Sequence, residues 1–337
     1  MTYAEAMVVG LIQGVTELFP VSSLGHNVLI PALIGGSWAQ DLSVSAPESP
    51  YLAFIVGLHV ATAAALIVYF WRDWVRLFGG FLSSLRERRI ATADQRLAWM
   101  IIVATTPVGI AGLLLEHAFR VYFSKPVPTA IFLAVNGVIL LGGEQAVRRR
   151  TPTLAVPTPE PARTGGPQAE HQIGRTAEPT ERAEPDEPHE PHEPEREREV
   201  ARGIRADRRL SVMSFGRALL IGSAQIFALL PGISRDGVVT VTGMLRGISR
   251  EDAVRFSFLL STPVILAAGV LKVPDLTGSL GNGIRGQVLA GSLLSFVGAY
   301  LSVRFLTRYF AKDRSLTPFG IYCLLAGLGS LIYLLVR

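Results

Sequence analysis

Long apolar runs, separated by Arg-rich or Gly/Pro-containing breaks, dominate this chain. They occupy 52–71, 97–115, 128–147, 253–271, 286–303 and 316–336. A hydrocarbon core of ~30 Å takes about 20 residues of helix, and each run is long enough to cross it or nearly so. A soluble helix would keep one wet face, with apolar residues at three- and four-residue spacing. These runs are apolar all round. The pattern predicts an all-α integral membrane protein with about six transmembrane helices.

Two further segments are hydrophobic but have polar, Pro- and Gly-containing centres: GLIQGVTELFPVSSLGH at 10–26 and GSAQIFALLPGISRDG at 222–237. Proline removes a backbone donor and stops or redirects a helix. Each segment is therefore expected to enter the bilayer, break and return, as a re-entrant helix–loop–helix. The two resemble one another: Gly-x-x-Gln, an apolar stretch, then Pro followed within three residues by Ser. A second echo follows each, ATTPVGIAGLL at 104–114 and LSTPVILAAGVL at 260–271. Related halves entering from opposite sides make an inverted-topology repeat.

Charge sets the boundaries and the orientation. Much of the 18% charged content lies in 148–210, which also holds ten of the chain's 21 prolines and repeats Glu-Pro-His and Arg-Glu units. Such a stretch buries too little apolar surface to offset its ordering entropy, so it is expected to be a disordered cytoplasmic loop. It divides the chain into membrane halves, 1–147 and 211–337. His171, His189 and His192 lie in this loop as a weak metal tract, more simply read as solvated linker. Arg72, Arg76, Arg86, Arg88, Arg89 and Arg96 mark 72–96 as a cytoplasmic loop, as do Arg304, Arg308, Lys312 and Arg314 for 304–314, and Arg148 to Arg150 begin the long loop on the same side. The loops near 116–127 and 272–285 fall outside. This threading opens the first broken segment from outside and the second from inside.

The net charge of +5 is what arginines flanking spans produce, and no nucleic-acid motif accompanies it. Met1 to Ala6 lacks a basic n-region and carries Glu5, so the first apolar segment is expected to stay in the mature fold. Cys323 is the single cysteine, which excludes a disulfide within the chain and a thiolate cluster.

The broken segments carry the candidate chemistry. Gln13 and Glu17, four apart, share one helix face. Pro20 ends that helix, Ser22 and Ser23 follow, and His26 lies about one turn into the next helix. In the second segment Pro231, Gly232 and Ser234 make the break, Arg235 and Asp236 open the following half-helix, and Gly237 and Thr240 lie within its first turns. Half-helix N-termini offer free N–H donors and partial positive charge to anions, and a guanidinium matches phosphate oxygens. Ionisable groups at membrane depth are costly and persist where they pair or line a cavity. If the tips meet, phosphate is the natural guest. Taken singly, Ser22 and Ser234 read as N-caps, Glu17 as a buried partner of Arg235, and Gln13 and Gln225 as groups satisfying freed backbone. His59, in an apolar span without a polar motif, reads as a core histidine, and His26 alone admits the same reading.

At these residues the sequence resembles the undecaprenyl-diphosphate phosphatase family, also called bacitracin-resistance proteins. Gln13 through His26 match its Glu/Gln-x-x-x-Glu motif running into Pro-Val-Ser-Ser-x-Gly-His, and Pro231 to Thr240 match its Pro-Gly-x-Ser-Arg motif, with FSFLLSTP at 256–263 also similar. Two positions depart: Asp236 stands where the family has serine, and Leu24 where threonine is common. The resemblance implies removal of the terminal phosphate of undecaprenyl diphosphate at the outer face of the bacterial plasma membrane, regenerating the monophosphate carrier for cell-wall synthesis, with divalent-metal (Mg or Ca) dependence. It implies catalytic roles for Glu17, Ser22, Ser23, His26 and Arg235, and substrate binding by Gln13, Ser234, Arg235, Gly237 and Thr240. Ser23 is the expected nucleophile and Ser22 the runner-up, with His26 as base; attack by His26 itself or by metal-activated water stays open. Asp236, a carboxylate beside a diphosphate, is expected either to join Glu17 at a metal ion or to mark a paralogue of altered rate or substrate. The expected partners are a polyprenyl diphosphate, the bilayer and, as a homodimer, a second copy of the chain. The rival function is transport of a polyprenyl phosphate or another anion, which needs positive charge but no nucleophile and base; a catalytically silent scaffold is the third.

Overall fold

A computed structural model describes residues 1–42, 50–150, 195–277 and 283–336. The described residues are helical with no strand. In chain order the helices are α1 (Tyr3–Leu18), α2 (Ser23–Ile34), α3 (Gly36–Asp41), α4 (Pro50–Tyr69), α5 (Trp71–Glu87), α6 (Ala93–Phe123), α7 (Pro126–Arg150), α8 (Glu195–Ser211), α9 (Phe215–Ser223), α10 (Arg235–Leu245), α11 (Arg250–Thr277), α12 (Arg285–Ala311) and α13 (Thr317–Val336), with a 3-10 stretch, Ala224–Leu229, after α9. Among the described residues five are long and apolar enough to cross a membrane, and the number rises to seven if each of two sharply bent helix pairs is one span. The six apolar runs fall on α4, α6, α7, α11, α12 and α13.

The helices approach one another through small residues. A Cβ on Gly14 of α1 would lie 2.3 Å from the carbonyl oxygen of Ser295 on α12, and one on Gly327 of α13 would lie 2.4 Å from the backbone nitrogen of Ala134 on α7. In lipid, helix association rests on close packing of this kind, because tails are as apolar as leucine. α1 thus lies along α12, α7 along α13, and α9 along α6.

Two expectations are corrected. The 72–96 loop is mostly helix: α5 leaves α4 at a bend of 85° and packs on α6. Of the segment expected to be disordered, 151–194 lies outside the described residues. Its last part, by contrast, is the ordered helix α8, held by charge: Asp207 is buried and accepts from Arg76 at 2.6 Å and from Arg255 at 2.8 and 3.0 Å. Arg209 meets Asp252 on α11 at 2.6 and 2.7 Å, and Arg308 on α12 meets Glu199 at 3.1 Å. Composition alone hid this, because the partners lie on α5, α11 and α12. Arg250 pairs at the same end with Glu144 of α7 at 2.8 Å. A cavity of about 170 Å³ bounded by Tyr69, Arg72, Arg202, Arg255 and Thr307 lies at this charged end. It does not include the broken-segment residues.

Candidate active site

The first broken segment folds as its residues dictate. Thr2 and Glu5 form a reciprocal capping box that starts α1. Phe19, preceding Pro20, is extended (φ −68°, ψ 144°), as a pre-proline residue prefers, and α1 ends there. Ser22 then takes φ 68°, ψ 101°, a costly conformation for a residue with a Cβ, and caps α2 by accepting from the Gly25 N–H at 3.2 Å. In the second segment Ser234 caps α10, accepting from the Gly237 N–H at 3.1 Å. The N-cap readings of both serines hold.

The tips meet. The Ser22 hydroxyl oxygen also accepts from the Gly232 N–H at 3.2 Å. Asn136 of α7, fully buried, joins the two breaks: its Nδ2 donates to the Pro20 carbonyl at 3.0 Å, and its Oδ1 accepts from the Ser234 N–H at 3.0 Å. Gly232 has φ +109°, and a Cβ there would lie 2.6 Å from the Thr129 carbonyl and the Leu133 nitrogen. α7 is thus the floor against which both breaks seat.

Glu17 is the centre of the resulting cluster. Its carboxylate accepts from Arg235 across the two segments, from the Ser23 hydroxyl, and from Gln13 Nε2 at 2.8 Å. His59 Nε2 stands 3.4 Å away, its Nδ1 committed to the Ile55 carbonyl at 2.9 Å. Gln13 is itself oriented by Asn27, whose Nδ2 donates to Gln13 Oε1 at 2.5 Å. The Glu17 side chain is 1% exposed and that of Arg235 18%. Removing one partner of a buried pair typically costs about 3–5 kcal/mol, because the other is left uncompensated.

Three expectations change. His26 does not meet the Ser23 hydroxyl, which turns to Glu17; its Nδ1 donates to the Ser22 carbonyl at 2.7 Å, and its Nε2 meets the Tyr322 hydroxyl at 2.7 Å, the two rings stacked at 5.7 Å. His59 is not a plain core histidine but a neighbour of Glu17. Asp236 does not join Glu17: its Oδ1 accepts from Ser257 and from Ser261 at 2.8 Å, both on α11, and its Oδ2 is buried without a hydrogen-bond partner. The reason is helical geometry. Consecutive residues on a helix point about 100° apart, so with Arg235 aimed at Glu17, Asp236 aims at α11. Thr240 is buried farther along α10.

The model of the family described as bacitracin resistance protein BacA matches residues 6–168 and 194–329. The chain belongs to that family. It is 59% identical over 337 residues to a protein named undecaprenyl-diphosphatase in Mycolicibacterium paratuberculosis, an alignment covering 100% of this chain and 99% of that one. Identity is 53% to undecaprenyl-diphosphatase 1 of Frankia casuarinae, covering 97% and 96%. It is 39% to undecaprenyl-diphosphatase 2 of Chromobacterium violaceum, over the full length of both.

This BacA-family chain therefore gathers Gln13, Glu17, Ser22, Ser23, Ser234 and Arg235 in one place, with Gly237 in the cap beside them. Asn27, His59, Asn136 and Tyr322 belong to the same assembly, and sequence reading missed them as site residues. Asn136 carried a usable signal: an amide inside the apolar run AIFLAVNGVILL is a polar group at membrane depth. Among the described residues no group of three or more His, Cys, Asp or Glu forms a metal cage. Magnesium is commonly held by one or two carboxylates plus substrate phosphates, and Glu17 alone suits that mode.

Proposed function

We propose that this chain hydrolyses undecaprenyl diphosphate to undecaprenyl phosphate and inorganic phosphate, recycling the cell-wall lipid carrier, with the bacitracin resistance that the family name carries. One observation carries the reading: Glu17, Ser23 and Arg235 form one contact set across two separate helix breaks. Arg235 and the N–H groups opening α10 bind the diphosphate and stabilise charge on the transferred phosphoryl group. Ser23 is the nucleophile. As its oxygen bonds to the terminal phosphorus, the bridging P–O bond breaks, undecaprenyl phosphate leaves, and the hydroxyl proton passes to the Glu17 carboxylate within hydrogen-bond reach. Water then attacks the phosphoserine, which restores Ser23 and releases inorganic phosphate. Ser22, already accepting two backbone N–H groups, shapes the turn, and His26 holds it through the Ser22 carbonyl. Gln13 orients Glu17. A magnesium or calcium ion held by Glu17 and the substrate's oxygens would offset diphosphate charge.

The architecture we infer is six spanning helices and two re-entrant hairpins related by an inverted repeat. Helix pairing supports it: α1 packs on α12 as α9 packs on α6, while α4 meets α11 and α7 meets α13. An exchange of α4, α6 and α7 with α11, α12 and α13 requires this pattern. The same exchange sets Gly10, close against Gly291, beside Gly222, close against Ala104. The Thr-Pro echoes, on α6 and α11, are not related by it. With the arginine-rich end in the cytoplasm, the site opens to the outer face of the plasma membrane. The homodimer belongs to the same reading and is tested by native mass in detergent.

Purified protein given undecaprenyl or farnesyl diphosphate is expected to release inorganic phosphate. Lipid flux across vesicles without phosphate release would instead support the carrier function, and the absence of both flux and release would support a silent scaffold.

A further inference from the structure

We infer that α5 is an interfacial helix whose exposed apolar stripe lies in the inner leaflet and whose flanking arginines bind anionic headgroups. Its sequence, WRDWVRLFGGFLSSLRE, has three faces rather than two. At 100° per residue, Trp71, Val75, Phe78, Leu82 and Leu85 fall within an arc of about 80°. All five are exposed, Phe78 to 63%. A second apolar row, Trp74, Leu77 and Phe81, packs on the protein. The third face carries Asp73 and Arg76, which pair with the α8 and α11 charges. A helix already anchored by one apolar row has no need of a second in water, and a stripe of five large side chains marks a contact surface.

Orientation selects the occupant. α5 leaves α4 at 85°. With α4 crossing the bilayer, α5 runs nearly in its plane, the geometry of an amphipathic helix seated at the headgroup boundary. Arg72 and Arg86 lie next to the stripe, and Arg88 follows at the helix end. All three are exposed, and none makes an ion pair among the described residues. Unpaired cations beside an apolar stripe at the arginine-rich end complement the negative surface of an inner leaflet. This inference rests on the membrane orientation and not on the catalytic assignments.

The full chain carrying Phe78→Cys can be spin-labelled at that position, since Cys323 is buried. In vesicles of phosphatidylcholine and phosphatidylglycerol the label is expected about 5–10 Å below the headgroups, open to oxygen and shielded from an aqueous nickel chelate. A label open to the chelate, one at the bilayer centre, or one broadened by a second copy overturns the proposal. Val75→Cys replaces the variant if it misfolds. Thermal stability in these vesicles is expected to exceed that in pure phosphatidylcholine, and the triple variant Arg72→Gln, Arg86→Gln, Arg88→Gln should lose that difference. A lipid difference that survives the triple change refutes the headgroup contacts. Phosphate release by the wild-type chain tests the catalytic reading separately.

Discussion

Glu17→Gln separates the chemistry of the site from its binding. The carboxylate touches Arg235, Ser23, Gln13 and His59 at once. Glutamine is nearly isosteric and keeps one acceptor oxygen, but it cannot take a proton from Ser23. Loss of a positioned base usually costs 10²- to 10⁴-fold in rate, or about 3–5 kcal/mol of barrier at 1.36 kcal/mol per decade. Binding should move the other way. With the divalent ion saturating, Arg235, released from an anion in direct contact, is free for the diphosphate, so KM is expected to stay level or fall. The stability loss is smaller: one charge-assisted contact, about 1.5–3 kcal/mol, reduced because Arg235 is partly open to solvent. The assay is phosphate release from a prenyl diphosphate in detergent micelles, with kcat and KM fitted separately and a thermal melt alongside. A variant whose kcat stays near wild type, or whose KM rises while kcat holds, would refute the role given to this carboxylate.

Three further outcomes follow from the same geometry. Ser23→Ala should abolish phosphate release and any trapped phosphoenzyme, whereas Ser22→Ala should retain a labelled serine at reduced rate; label on a histidine would reassign the nucleophile. Asp236→Asn should leave the divalent-metal titration of activity unshifted, because Asp236 faces Ser257 and Ser261; a large shift would return Asp236 to the metal site. Asn136→Leu should lower kcat on the order of 10²-fold with KM little changed, the cost of roughly 1 Å of misplacement between reacting groups, while Asn136→Asp, which keeps the Ser234 contact, should fall less; equal losses in both would make Asn136 a packing residue only.

The site was legible in outline because membranes make polar residues conspicuous. Glu17, Ser23 and Arg235 sit in segments whose Pro and Gly residues break otherwise apolar helices, and such breaks are tolerated where they line a cavity. What stayed hidden were partners from helices distant in sequence. His59 looked inert because nothing near it in the chain is polar, yet α4 carries it to Glu17. Asp236, a carboxylate expected beside the diphosphate, looked placed either to share a metal ion with Glu17 or to mark a paralogue, yet adjacency to Arg235 on a helix turns it toward Ser257 and Ser261 instead. The 195–211 stretch looked disordered because it is charged, and three other helices supply its counter-charges.

Hydrophobic run length and the two interrupted motifs determined the helical membrane fold and most of the residues that gather in the candidate site, because a bilayer leaves the backbone few alternatives. Only the tertiary structure decided which hydroxyl faces which carboxylate, that Asn136 seats both breaks, and that α5 turns aside at the charged end. Those depend on the direction each side chain takes from its helix and on contacts between segments far apart in the chain, which local pattern does not encode.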